Sequence, residues 1–450
     1  MAKYCTENTG GDKKRDYLDS APKPKILHLA SDLSSGGAER VFANTIEQSV
    51  ATNLYEIFVA SCDKNPPFGI DENHFLRLDD WNNYPKIRAV FKYIFNFTNF
   101  TRLKCFLFYI KPHIIHTQNY LSRISPSVLF ALRSYKRAFP QTRLIFTQHG
   151  YGVCANLCLY NYAKNKICED CIDSAKWHIA FKNCDRRGKI YSVLKALRVP
   201  FYQGIFLKEQ NLFDKIIFVS EFQASKHRLE YYKNSIVIPN PIEYRFYDSA
   251  PNLSQKQDVI VFFGRIAKEK NIPLLIRAFA RFCEQNSGYK LIIIGNGDEK
   301  EKCERLVRKL GLDSTTCKNF AESSINFVDF DAESSIIFIP HLSPNKLKDI
   351  LRIAKISVLP SLLYETFGLS IVEGILAGVV PLASDIGALR ETIDKYYGFV
   401  FENNNEESLA DVMTKVLGDY ERYFAQVLKT QQKILAQNKQ YMENLIDLYK

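Results

Sequence analysis

Ten short apolar runs, five in each half, constrain what these 450 residues can become. The first five are KILHLAS (25–31), YEIFVAS (55–61), HIIHTQ (113–118), RLIFTQ (143–148) and KIIFV (215–219). The second five are DVIVFFG (258–264), YKLIIIG (289–295), IIFIP (336–340), KISVLP (355–360) and VVPLAS (379–384). These runs are short, rich in β-branched residues and apolar at successive positions, which suits strands buried on both faces of a parallel sheet. Helical stretches lie between them, such as 271–286, 298–310 and 387–394. That alternation predicts two doubly wound α/β domains, 24–236 and 258–418. Between them 237–257 gathers Pro, Asn, Ser and Gln and reads as a linker. Residues 1–23 read as a polar tail without the apolar centre of a secretory signal, and 419–450 as a helical tail.

The chain is long enough for two cores, and 46% hydrophobic with 24% charged residues is ordinary for a globular protein. No apolar run reaches the ~18 residues of a membrane-spanning helix. The net charge of +11 is concentrated: 81–168 holds thirteen Lys and Arg and no acid, which leaves −2 for the rest. Within it, KIRAVFKYIFNFTNFTRLKCFLFYIK interleaves bases with aromatic rings. This pattern predicts a surface lying on anionic lipid headgroups. A solvated basic face over an aromatic core is the plainer alternative, and no nucleic-acid motif accompanies the charge.

Five of the eleven cysteines, Cys154, Cys158, Cys168, Cys171 and Cys184, fall within 31 residues. CEDC gives the two-residue gap common at zinc sites. Cys158, Cys168, Cys171 and Cys184 are therefore candidate ligands of a structural zinc, with Cys154 as a substitute and free or locally bonded thiols as the alternative.

In open parallel sheets ligands sit beyond the carboxyl ends of the strands, so those ends hold the candidate site, expected in the cleft between the two domains. Gly36 and Gly37 follow the first strand and precede a helix, a turn suited to phosphate or sugar oxygens. In FFGRIAKEKN, Arg265 and Lys270 follow a strand and could neutralise a diphosphate. Gly295 and Gly297 in GNGD would let a nucleotide lie near the backbone, although the full dinucleotide fingerprint is absent. In SLLYETFGLSIVEG the amides of Gly368, Leu369 and Ser370 open a helix that could hold phosphate oxygens. Glu373 on that helix could accept from ribose hydroxyls, and Glu365 in the loop would face the group beyond the diphosphate. His149 follows the strand RLIFTQ, and His116 is a weaker candidate for the same cleft.

The ordered set GGAER, TQHG, VIPNPI, GRIAKEKN, GNGD and YETFGLSIVEG resembles the retaining nucleotide-sugar glycosyltransferases of group 1, or family 4, type across about 25–405. The resemblance implies the GT-B fold, two Rossmann-like domains facing across a cleft. HGYGVCANLCLY…CEDC further resembles a subset that builds bacterial cell-surface polysaccharides. The resemblance implies a UDP- or GDP-sugar donor and a polysaccharide or lipid-linked acceptor bound by the N-terminal domain. It implies an enzyme in the cytoplasm, peripheral on the inner face of the cell membrane. Arg265 and Lys270 would stabilise the diphosphate, Glu373 would hold the ribose, and Glu365 and His149 would contact the sugar. Gly36 and Gly37 would lie near the diphosphate and acceptor. No metal would be needed for the leaving group. A sugar-nucleotide epimerase, a phosphorylase or an inactive membrane scaffold are the competing readings.

Overall fold

The computed structural model describes residues 22–33, 36–172, 176–227, 233–242, 250–316 and 334–450. Residues 1–21 of the expected tail and 243–249 of the expected linker lie outside the described residues. The chain divides into two units. The first comprises the chain up to Val219, Ala224–Pro241 and Tyr441–Lys450; the second comprises Ser220–Gln223 and Ile242–Gln440.

The first unit carries strands β1 (Lys25–Leu29), β2 (Glu56–Ser61), β3 (Phe75–Arg77), β4 (Ile114–Thr117), β5 (Arg143–Gln148), β6 (Tyr160–Asn161), β7 (Lys166–Ile167), β8 (Lys215–Phe218) and β9 (Ser235–Val237). Seven form one sheet in the order β3-β2-β1-β4-β5-β8-β9, with parallel pairing throughout. The strand β1 shows why. Ile26 faces a core built with Phe42 and Ile46 of the helix Gly37–Thr52, while Leu27 and Leu29 face a core built with Leu103, Phe106 and Leu132. Both faces are covered, so the strand keeps no polar side. Tyr441, Met442, Leu445 and Tyr449, from the helix Tyr420–Tyr449, complete the first of these cores.

The second unit carries β10 (Val259–Phe263), β11 (Lys290–Ile294), β12 (Ser314–Thr316), β13 (Ile336–Ile339), β14 (Ile356–Leu359), β15 (Val380–Ser384) and β16 (Phe399–Phe401). They form a second parallel sheet in the order β12-β13-β11-β10-β14-β15-β16. The helix Ile272–Cys283 buries Leu275, Ile276, Phe279 and Phe282, and Glu406–Gly418 packs along it. Arg277 and Arg281 of the first helix pair with Glu406 and Glu407 of the second.

All ten expected strands are present. The strands that sequence reading missed are β3, β9, β12 and β16, each three residues long and at a sheet edge, and the two-residue strands of the hairpin β6-β7. FLR, SIV, STT and FVF are too short for either period to register.

Two histidines sit in the first unit's sheet. His28 is fully buried, its ring 5.7 Å from that of His116, and neither of its nitrogens has a hydrogen-bond partner among the described residues. Burial pushes His28 down to about 3, and burial with the nearby His28 and His149 holds His116 well below the ordinary range. Because the folded values are depressed, this stabilisation is complete above the unfolded value and is lost as pH falls below it. The His28 ring should cost about 2 kcal/mol between pH 7 and 5, and His116 adds a loss of the same sign. The melting temperature should therefore fall steeply over that interval, and His28→Leu should flatten the fall. An unchanged slope in His28→Leu would contradict this account.

Candidate active site

In the second unit, β10 stops at Phe263 and the chain turns through Gly264, at φ +149°, into Arg265. A short helical turn at Lys268–Lys270 follows. Arg265 forms an ion pair with Glu269; the arginine side chain is half exposed and the acid is buried. Lys270 forms an ion pair with Glu365, in the loop after β14. Glu365 also accepts from Ser361 Oγ at 2.7 Å. Burial alone would raise the Glu365 carboxyl, but Lys270, Ser361 and Arg265 outweigh it and hold the group below the usual range. The two loops are also joined through the backbone, where Leu362 N donates to Glu269 O at 2.8 Å. The structure thus brings Arg265, Lys270 and Glu365 together at the carboxyl ends of β10 and β14.

The loop then reaches Gly368, at φ +94°, which caps the helix Leu369–Leu376 without a side-chain partner. A left-handed residue here reverses the chain, and a Cβ would come within 2.9 Å of Leu389 Cδ2. Glu373 sits one turn into the helix at 4% exposure. Ser220 Oγ donates to Thr366 O at 2.7 Å, and the amides of Glu221 and Phe222 donate to the Glu391 carboxylate at 2.9 and 2.7 Å. Phe222 packs edge-on against Tyr364. Ser220 and Glu391 escaped sequence reading because their partners are distant in the chain; Glu269 and Ser361 lie four positions from Arg265 and Glu365, a local spacing that carried no motif.

Gly295 and Gly297 have a tighter task than ligand access. A Cβ on Gly295 would lie 1.9 Å from Gly264 O, and one on Gly297 2.0 Å from Ile266 O. The turn after β11 runs directly against the turn carrying Arg265.

In the first unit, His149 stands past the end of β5 and its Nε2 lies 2.8 Å from Gln118 Oε1. A carboxamide oxygen only accepts, so Nε2 carries the proton and Nδ1 is the basic nitrogen. Burial pulls His149 down to about 4, leaving the ring neutral at neutral pH. Gly36 is extended at φ −173° and Gly37 opens the helix; a Cβ at Gly36 would meet Glu39 Oε2 at 2.9 Å. Asn119 Nδ2 donates to Glu39 Oε1 at 2.7 Å, and Arg123 pairs with buried Asp32 at 3.0 Å. His116 is not a lining residue. It is fully buried, with Nδ1 2.8 Å from Tyr449 Oη and Nε2 2.8 Å from Thr147 Oγ1.

Comparison with known proteins bears on the second unit first, where residues 257–419 match the family model described as "Glycosyl transferases group 1". Over these residues the chain is similar to the group 1 glycosyl transferases. A glycosyltransferase of Methanocaldococcus jannaschii, described as uncharacterized, is 28% identical over 36% of this chain and 37% of its own. The lipopolysaccharide 1,2-N-acetylglucosaminetransferase of Salmonella typhimurium is 27% identical over 38% of this chain and 42% of its own. The matches thus span about two fifths of these relatives. The fold extends further: the Anabaena protein HepE, solved in complex with UDP, aligns over 94% of this chain and 100% of its own at TM-score 0.59 and 15% identity. The pair of doubly wound units is the GT-B fold.

The zinc expected at Cys158, Cys168, Cys171 and Cys184 is not shown: among the described residues no three His, Cys, Asp or Glu side chains are placed to hold a metal ion. Their sulfurs have other partners: Cys158 Sγ accepts from Asn156, Cys168 donates to Asp170, Cys184 Sγ accepts from Asn161, and Cys171 is hydrogen-bonded to Cys154. The cysteines do gather in space, Cys154 against Cys171 and Cys184 within electrostatic reach of Cys158, Cys168 and Cys171, but closeness alone does not supply a ligand geometry.

The acid-free stretch is divided. Tyr93, Phe106, Tyr120 and Phe146 are core, whereas Ile87, Phe91, Phe97 and Tyr109 are exposed. Lys92 and Arg102 pair with Asp79, and Arg123 with Asp32. No helix among the described residues is long and apolar enough to cross a membrane.

The glycine contacts give a direct test. Gly297→Ala should destabilise the protein by about 2 kcal/mol or more through steric overlap. Gly311→Ala, at φ +67° with open space around it, should cost only about 1 kcal/mol of backbone strain. Equal losses in urea unfolding would refute the close-approach explanation.

Proposed function

We propose that the protein moves a sugar from a UDP- or GDP-type donor to a polysaccharide or lipid-linked acceptor during synthesis of a bacterial cell-surface glycan. Transfer retains anomeric configuration, and the enzyme rests on the cytoplasmic face of the cell membrane. The observation that carries this reading is the grouping of Arg265, the Lys270–Glu365 pair and the Gly368 helix start at the ends of β10 and β14. Two cations and a helix start carried on adjoining loops suit a diphosphate whose charge grows as it departs. The name of the Salmonella relative and the UDP bound to the Anabaena protein support the donor and acceptor classes.

The state of Glu365 shapes the chemistry. Held ionised by Lys270, it is poorly suited to protonate a leaving group. The departing phosphate then takes the acceptor's proton as the bond from C1 to the phosphate oxygen breaks and the bond from C1 to the acceptor oxygen forms. Arg265, Lys270 and the amides of Leu369 and Ser370 offset the charge released. Glu373 accepts from the ribose hydroxyls. Neutral His149 offers the sugar a hydrogen bond rather than a charge.

Nucleoside diphosphates and nucleotide sugars should raise the melting temperature, with one base preferred. Arg265→Ala and Lys270→Ala should each lower kcat/KM by about 10²- to 10³-fold with circular dichroism unchanged. Wild-type turnover in Arg265→Ala would overturn the assignment. Since His149 and Glu365 both titrate on the acid side, the transfer rate should be flat from pH 6 to 8. An inflection near 6.5 that disappears in His149→Gln would show that the ring acts as a cation.

A further inference from the structure

At the edge of the first unit's sheet opposite His149 lies a cavity of ≈ 940 Å³. Its place follows from Asp214, which directly precedes β8 and whose amide donates to Leu144 O, near the start of β5, at 2.8 Å. The lining holds four cations, Arg133, Lys136, Arg137 and Lys208, against one acid, Asp214. That acid is already engaged. It pairs with Lys136 at 2.8 Å and accepts from Leu144 N at 2.7 Å.

Arg137 and Lys208 have no ion-pair partner among the described residues. Arg133 is held in place, its guanidinium 4.6 Å from the Phe130 ring and its Nη1 donating to Phe206 O at 2.8 Å. Burial and the neighbouring Arg137 both pull Arg133 below its usual value, as expected of cations crowded together. On the rim, Ile205 is 86% exposed and Phe206 50%. Concentrated positive charge beside exposed apolar side chains matches an amphiphile with an anionic head.

We propose that this cavity takes the phosphate headgroup of an anionic membrane lipid, seated between Arg133, Arg137 and Lys208, with Ile205 and Phe206 entering the acyl region. The site lies at the strands' amino ends, whereas transfer is assigned to their carboxyl ends. The inference deepens the membrane part of the proposed function and stands apart from its chemistry, so either can fail without the other.

The test is cosedimentation of the full chain with phosphatidylcholine vesicles containing or lacking phosphatidylglycerol. The protein should bind only those with phosphatidylglycerol. Arg137→Gln/Lys208→Gln, at exposed positions, should weaken partitioning about 10- to 30-fold. Ile205→Asp, outside the acid-free stretch, should weaken it as well, and both variants should keep wild-type donor-induced thermal shifts. The proposal is overturned if both variants bind like the wild type. It is equally overturned if no vesicle binds while inorganic phosphate raises the melting temperature through Arg137 and Lys208, since the cavity is then a site for free anions.

Discussion

Burial of both faces of each parallel sheet governs this molecule. A strand such as β10, buried at all five positions, has no side on which to carry a working polar group. Reactive side chains are therefore placed where strands stop, and Arg265, Lys270, Glu365 and His149 all follow strand ends. The exceptions show what the rule costs. His28 and His116 lie within strands and are held neutral, one without a hydrogen-bond partner among the described residues and the other fixed by Tyr449 and Thr147. Neither is placed to act.

The charges around the loops after β10 and β14 are organised as pairs rather than as a free cationic patch. Glu269 is almost inaccessible and orients the half-exposed Arg265, while Glu365 and Lys270 are each about one-fifth exposed. Under the proposed function, a paired cation would already be positioned and partly desolvated when a diphosphate competes for it, lowering the reorganisation needed at the moment of transfer. The same pairing makes single deletions ambiguous in meaning, because removing either member leaves the other charge poorly compensated.

The fold was legible in the sequence because its signal is carried by long central strands, whose apolar runs have few other uses. The edge strands were not, since three residues such as STT carry no period. Signals at the site were local where a glycine or cation follows a strand, and Arg265, Lys270 and Glu365 do stand together. Gly295 and Gly297 were located correctly, but their task is the contact of two backbones, which depends on the register of β10 against β11. The cysteines are close in space as well as along the chain, but their sulfurs bond to Asn156, Asp170, Asn161 and one another rather than around a common centre. Glu391 and Ser220 carried no local signal, as their partners lie 146 or more positions away.

One feature of the first unit bears on the order in which the protein is made. Tyr441, Met442, Leu445 and Tyr449 fill one of its two cores, yet the ribosome adds them only after the entire second unit. The face formed by Ile26, Phe42, Ile46 and Val59 must wait, partly uncovered, through that interval. The second unit can close around its own sheet first, so the half of the chain synthesised earlier is the later to mature. During translation, that waiting apolar face is where a chaperone would be needed.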